Sequence, residues 1–217
     1  MNLAAGSERA SAFRRGLAIT FVLVLGLSVA FQVWRLGQTD PRAWLTIDYM
    51  MRTAVLLALA FARPTRHVAF KPQPLRIGKV ELALWFVGVA VLAVLYDAEW
   101  VMRGLSAIMP DVRLGHFPPL SGMPRWTDLT FGLALVAIHE EIFFRRVARF
   151  AMRPLGDGGW MVLSSSVLFG LFHWWTGLPN MLLAALAGAF LMLLYLRAGA
   201  LWPAIVAHYV IDFWILV

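Results

Sequence analysis

The chain has 217 residues, of which 61% are hydrophobic and 14% are charged, and its formal net charge is +7. Soluble domains carry charge on about a quarter of their residues, so this composition excludes an ordinary soluble protein and predicts a helical membrane protein. In such a protein a positive net charge reflects basic loops and anionic lipid, and no basic and aromatic run indicates nucleic-acid binding. The absence of cysteine excludes thiol catalysis, disulfides and cysteine–zinc sites.

Seven apolar segments have about the length that a membrane span needs, roughly 20 residues. In chain order they are Leu17–Trp34, Ala43–Ala62, Val80–Met102, Trp126–Phe150, Trp160–Trp175, Asn180–Leu196 and Ala200–Val217. Turn-forming glycine and proline residues separate them. The sequence therefore predicts an all-α fold, a polytopic bundle of about seven transmembrane helices, with residues 1–217 forming one integral-membrane domain.

Basic residues cluster in every second predicted connection. The clusters are the N-terminal tail with Arg9, Arg14 and Arg15, the loop 63–79, the segment 145–153 and Arg197. By the positive-inside rule we expect the N-terminus in the cytoplasm and the C-terminus outside, in a bacterial inner (cytoplasmic) membrane. The first segment follows basic residues as a signal peptide does, but it is long enough to span and lacks a clear cleavage site, so we expect it to be retained.

The longest predicted outside loop runs from Arg103 to Arg125. Its proline and glycine residues make it too rich in helix breakers to span the membrane. Long loops of this kind often act as lids or binding segments. A passive connector is an equally good interpretation.

Ionisable side chains lie inside three of the last four predicted spans. They are Glu140, Glu141 and Arg145 in the fourth span, His173 in the fifth, four residues after Phe169, and His208 and Asp212 in the seventh. A charge at the bilayer centre costs about 2.5–3.5 kcal/mol on insertion scales, so such residues indicate a polar site between helices. Because residues four apart share a helix face, Glu141 and Arg145 are predicted to pair, whereas Glu140, about 100° away, is predicted to lack a partner.

Three motifs therefore follow one another on separate spans: Glu-Glu-x-x-x-Arg, Phe-x-x-x-His and His-x-x-x-Asp. Together they resemble the signature of the CPBP family, the CAAX proteases and bacteriocin-processing membrane proteins, which are glutamic-type intramembrane endopeptidases. The resemblance covers about residues 126–217. It implies an α-helical membrane peptidase that needs neither metal nor cofactor, with Glu141 and Arg145 as a supporting pair.

The resemblance also implies roles for the remaining polar residues. Glu140 with His173 would activate a water molecule, and His208 with Asp212 would hold the oxyanion. Many family members have asparagine where this chain has Asp212. Because an ionised carboxylate cannot donate a hydrogen bond, we expect Asp212 to orient His208 or to be held neutral by burial.

A zinc site is an alternative interpretation of the same residues, because His139, Glu140, His173 and His208 are all of ligand type. A His-Glu-x-x-His motif would need histidine at position 143, where the chain has Phe143. We therefore favour a metal-independent site, and we expect His139 to be a packing or supporting residue.

Two further classes of protein fit the pattern less well. One is a non-enzymatic membrane scaffold or immunity protein, and the other is a proton-coupled transporter, for which an internal repeat would be expected. For a peptidase the partners would be the lipid bilayer and a membrane-anchored protein or peptide substrate. Prenyl-type C-terminal processing, bacteriocin maturation and removal of C-terminal sorting tails all remain open, and we lean toward the last two.

Asp48 and Arg52, four residues apart in the second span, are predicted to neutralise each other.

Overall fold

The structure is a computed structural model that describes the backbone of residues 3–217 and the side chains of residues 11–154 and 156–217. Nine helices follow one another in this part of the chain, and it contains no strand. They are α1 (Leu3–Leu36), α2 (Pro41–Phe61), α3 (Arg63–Ala69), α4 (Lys79–Asp97), α5 (Glu99–Ile108), α6 (122–152), α7 (Gly159–Phe172), α8 (Leu178–Ala198) and α9 (Trp202–Leu216). The predicted all-α fold is confirmed.

The seven predicted spans correspond to seven of these helices. Within the described residues α1, α2, α4 and α8 are long and apolar enough to cross a membrane, and α7 and α9 are apolar but shorter. The remaining helix that matches a predicted span is α6, which is long but changes its helix type along its length. The other two helices, α3 and α5, are short connections, so the prediction of about seven spans agrees with the structure.

The helix α6 alternates between α-helical and π-helical turns. Its parts are the α-helix Gly122–Thr127, the π-helix Asp128–Gly132, the α-helix Leu133–Glu140, the π-helix Glu141–Val147 and the α-helix Ala148–Met152. Every residue from 139 to 148 is buried, because α6 packs against α1, α2, α3, α7, α8 and α9. The first motif thus lies at the centre of the bundle, on a π-helical turn of the kind that often marks functional sites.

The region around the third predicted span differs from the prediction. The helix ends at Asp97, because Ala98 adopts an extended conformation, and α5 then occupies part of the predicted outside loop. In α5 the apolar Val101 and Leu105 lie on one side and are half-buried, while Arg103 is exposed. A short helix with one apolar face can lie along a membrane surface without crossing it, which explains why hydropathy alone joined it to the span before it.

Candidate active site

A cavity of about 150 Å³ lies between α1, α2, α4, α6, α7, α8 and α9. All four residues predicted to be catalytic line it: Glu140, His173, His208 and Asp212. They come from α6, from the turn after α7 and from α9, so the bundle brings all three motifs to one place. Glu141 and Arg145 do not line the cavity and lie behind its wall.

The predicted pair of Glu141 and Arg145 is present and completely buried. Arg145 Nε lies 3.0 Å from Glu141 Oε2, and both side chains are 0% exposed. Arg145 Nη1 donates to the Ser165 hydroxyl at 3.1 Å, and its guanidinium lies 4.5 Å above the centre of the Phe169 ring. The phenylalanine of the second motif therefore packs on the arginine of the first, a contact that joins α6 to α7.

The imidazole of His208 lies between carboxylates on both sides. Its Nδ1 is 2.9 Å from Glu141 Oε1, and its Nε2 is 3.3 Å from Asp212 Oδ2 and 3.9 Å from Glu140 Oε2. From the sequence we expected Asp212 either to orient this histidine or to be held neutral by burial. In the structure the close contact to Nδ1 comes from Glu141 instead, while Asp212 lies beside the nitrogen that faces the cavity.

The ring of His173 is fixed by the backbone of its own helix. Its Nδ1 lies 2.8 Å from the Phe169 carbonyl oxygen, and since a carbonyl oxygen only accepts, Nδ1 is the donor. In the neutral ring Nε2 is then a free acceptor in the cavity wall. The carbonyl of His173 accepts from the Thr176 hydroxyl at 2.7 Å, and Asn180 donates to that hydroxyl at 2.7 Å. This chain of bonds holds the turn after α7 against α8.

Glu140 has a partner that the sequence did not predict. Its Oε1 accepts a hydrogen bond from Arg52 Nη1 at 2.7 Å, whereas its Oε2 is buried without a hydrogen-bond partner among the described residues. The expectation that Glu140 is unpaired was therefore wrong for one of its two oxygens. Arg52 lies on α2, 88 residues away in the sequence, so no local spacing could have indicated the contact.

Arg52 belongs to a buried network on α1 and α2. Asp48 Oδ2 accepts from Arg52 Nε at 2.7 Å, as predicted, and Asp48 also accepts from Arg35. The Arg35 guanidinium lies 4.2 Å from the ring centre of Trp44 and 4.8 Å from that of Trp175. The pair predicted to neutralise itself is thus part of a longer chain of charges that ends at Glu140.

Of the four residues considered as zinc ligands, His139 does not join the other three in lining the cavity. His139 is fully buried, does not line the cavity, and places its Nδ1 3.2 Å from Arg52 Nη1. Its ring lies parallel to that of Phe143, which agrees with a packing role. In the part of the chain that the structure describes, no three His, Asp or Glu side chains are placed to share one metal ion.

The segment 109–121, which follows α5, covers one end of the cavity. Leu114 donates its N–H to the Trp175 carbonyl at 3.0 Å. The Phe117 ring packs 5.1 Å from Trp175 and 5.7 Å from Trp44, and Phe117 itself lines the cavity. The predicted outside loop therefore contributes a wall of the candidate site and not only a connection.

Residues 122–214 match the family model described as Rce1-like, type II CAAX prenyl endopeptidase. No curated protein and no solved structure matches the chain. The matched segment runs from α6 into α9 and contains all three motifs, so the resemblance to the CAAX-protease family predicted from them is confirmed over this segment. The match implies a membrane-embedded peptidase that acts on protein or peptide substrates. The helices α1 to α5 lie outside it.

Proposed function

We propose that this protein, whose residues 122–214 match the Rce1-like family, is a glutamic-type, metal-independent endopeptidase that hydrolyses peptide bonds of membrane-anchored substrates. One observation carries the proposal: among the described residues Glu140 Oε2 is buried without a hydrogen-bond partner, in a cavity that His173 and His208 also line. A buried polar atom without a partner is costly, and a carboxylate oxygen in this state is available to accept a proton from water.

The first step would be the activation of water. Glu140 Oε2 takes one proton from a water molecule, and the water oxygen attacks the carbonyl carbon of the substrate. His173 Nε2, which is free because Nδ1 donates to a backbone carbonyl, accepts a hydrogen bond from the same water and orients it. The two groups lie on different helices that line one cavity, so the fold itself sets the line of attack.

The second step would be the stabilisation of the oxyanion that forms on the substrate carbonyl. His208 Nε2 lies 3.9 Å from Glu140 Oε2, and in the imidazolium form, with Nδ1 donating to Glu141, it can also donate from Nε2 to an oxyanion bound beside it in the cavity. Glu141 holds the opposite ring nitrogen. The proton on Glu140 then passes to the leaving amine, the C–N bond breaks, and the products are a carboxylate and an amine. Asp212 would keep the Nε2–H directed into the cavity.

The position of the cavity bears on the class of substrate. Its aromatic end, with Trp44, Phe117 and Trp175, lies where α1 ends and α2 begins. With the N-terminus in the cytoplasm, as the basic loops indicate, this end faces outward. Sorting tails of exported proteins and bacteriocin-type peptides could reach it directly, and a prenylated C-terminus, which the name of the matched family indicates, would enter from the membrane.

The cleavage test uses the purified chain in liposomes with two internally quenched peptides, one farnesylated at a C-terminal CAAX sequence and one with an apolar anchor and a basic tail. Cleavage of either peptide by the wild type and not by Glu140→Gln is the expected result. Equal cleavage by both proteins would contradict the assigned role of Glu140. The peptide that is cleaved identifies the substrate class.

The proposed orientation is tested separately by labelling single cysteines, which is clean because the chain has none. Cysteine at Val112 should react with an impermeant reagent added outside intact cells. Cysteine at Lys71 should react only after the cells are opened. The reverse pattern would refute the orientation.

A further inference from the structure

A buried arginine from outside the family-matched segment contacts the proposed general base. Arg52 is 7% exposed, lines the cavity, and donates from Nη1 to Glu140 Oε1 at 2.7 Å. It lies on α2, whereas the match begins at residue 122. The site that the three motifs describe is therefore completed by a side chain that none of them contains.

The position of this guanidinium is tightly set. Asp48 accepts from Arg52 Nε at 2.7 Å and from Nη2 at 3.3 Å, a two-point contact that fixes the plane of the guanidinium as well as its place. Asp48 is in turn contacted by Arg35, whose guanidinium lies over the rings of Trp44 and Trp175. Through these contacts α1, α2 and the turn after α7 together determine where Arg52 Nη1 lies.

The fixed position of Arg52 restricts the orientation of the Glu140 carboxylate. With Oε1 bonded to Arg52, rotation of the carboxylate is restricted, and Oε2 is the oxygen that remains free, 3.9 Å from His208 Nε2. A carboxylate held in this way presents one defined oxygen to the reacting water. The rate of a positioned reaction is sensitive to such placement, since a shift of about 1 Å can cost about 100-fold.

We propose that Arg52 is a positioning residue for Glu140, and that Asp48 and Arg35 act through it by holding its guanidinium. The N-terminal helices are then part of the catalytic apparatus and not only membrane anchors. This inference rests on the function proposed above.

The kinetic test compares Arg52→Met and Arg52→Lys with Arg146→Met, using whichever quenched peptide the wild type cleaves. Arg146 is a matched control, because it is also buried (5% exposed) but its hydrogen bonds to the described residues go to the backbone carbonyls of Ala69 and Lys71. We expect kcat to fall about 100-fold in Arg52→Met with KM close to that of the wild type. Arg52→Lys keeps the positive charge but cannot contact both Asp48 and Glu140 through a planar guanidinium. It should therefore recover only part of kcat.

The same assay ranks Arg52, Asp48 and Arg35 by the loss of kcat that follows their substitution. The loss should be largest for Arg52→Met, which removes the direct contact with Glu140, smaller for Asp48→Asn and smallest for Arg35→Met. Arg146→Met should lower only the thermal stability. An unchanged kcat in folded Arg52→Met, or an equal loss in Arg146→Met, would overturn the positioning role. If Arg52→Met does not fold, the decision rests on Arg52→Lys, in which an unchanged kcat has the same meaning.

A second measurement needs no substrate. Carbodiimides modify buried carboxyl groups but react poorly with a carboxylate held by a guanidinium, so mass spectrometry should find Glu140 unmodified in the wild type and in Arg146→Met, and modified in Arg52→Met. Equal modification in all three proteins would overturn the inference even if neither peptide is cleaved. Retained cleavage by Glu140→Gln would instead overturn the proposed function and leave the contact with Arg52 intact.

Discussion

Two adjacent glutamates belong to two polar clusters with opposite properties. Behind the cavity, Glu141 has a partner for each oxygen, Arg145 for one and His208 for the other, and its side chain is 0% exposed. On the cavity, Glu140 has one oxygen bonded to Arg52 and one that has no hydrogen-bond partner within the described part of the chain. The comparison separates two uses of a buried carboxylate: satisfied on both oxygens it holds helices together, and half satisfied it can take part in chemistry.

Both clusters join helices, but in different parts of the sequence. The cluster of Glu141 links α6, α7 and α9, all within the family-matched segment. The cluster of Glu140 links α6 to α2 and, through Asp48 and Arg35, to α1. If the distinction holds, substitutions in the first cluster should act mainly on stability, and those in the second mainly on the rate of cleavage.

The largest effect is expected for Glu140→Gln. The amide cannot act as general base, so peptide cleavage should fall about 10²–10⁴-fold, while the shape and volume of the side chain, and therefore the fold, are retained. The measurement is initial cleavage rate together with the thermal melting curve in detergent. A loss of activity that is accompanied by an equal loss in folded protein would erase the distinction between the two glutamates.

The next effect is on stability and concerns Arg145→Met. Removing the guanidinium leaves the Glu141 carboxylate buried beside His208 alone, and breaking a buried pair typically costs about 3–5 kcal/mol. The control is Arg197→Met, which removes an exposed contact to Glu81 and should leave the stability almost unchanged, because solvent screens a surface ion pair. Similar melting temperatures for the two variants would show that the buried cluster does not hold the bundle together.

In each cluster, spacing along the sequence predicted the contact within one helix and missed the contact between helices. The contacts of Glu141 with Arg145 and of Asp48 with Arg52 join residues four apart on one helix, so the sequence indicates them directly. The contact of Arg52 with Glu140 depends on how α2 packs against α6, which a single sequence does not specify. The same is true of the Glu141–His208 contact, which spans 67 residues.

The helices themselves were predictable because hydropathy determines which segments can span a membrane. The motif-bearing helices α6, α7 and α9 were found at nearly their observed positions for this reason. The break at Ala98 and the π-helical turn at Glu141–Val147 were not predictable, because each depends on side-chain packing and leaves no composition signal. The two successive glutamates are both buried, although a helix separates neighbouring residues by about 100°, because the whole stretch 139–148 is enclosed by other helices.

A smaller effect is expected at Asp212, where the two clusters meet on His208. Asp212→Asn should keep most of the activity, since the amide oxygen can still accept from His208 Nε2. Asp212→Ala should lose about tenfold, because an unsatisfied buried donor costs about 1–3 kcal/mol. If both variants match the wild type in kcat, Asp212 lies outside the reacting site. If the wild type loses activity at high pH and Asp212→Asn does not, Asp212 acts as a protonated donor and does not merely orient His208.

The smallest effect, no change, is expected from chelators and from added zinc. A divalent cation in the cavity would lie close to the guanidinium groups of Arg52 and Arg35, which line it, and these positive charges would repel it. Both ring nitrogens of His208 already face carboxylate oxygens, so binding a metal there would require these contacts to be broken. Activity should therefore survive prolonged treatment with a strong chelator, and elemental analysis of the purified protein should find no stoichiometric zinc.

Loss of cleavage in the chelator, restored by zinc and not by magnesium, would instead make Glu140 a metal ligand. The half-satisfied cluster would then be a metal site, with Glu140 Oε2 as the oxygen available to the ion.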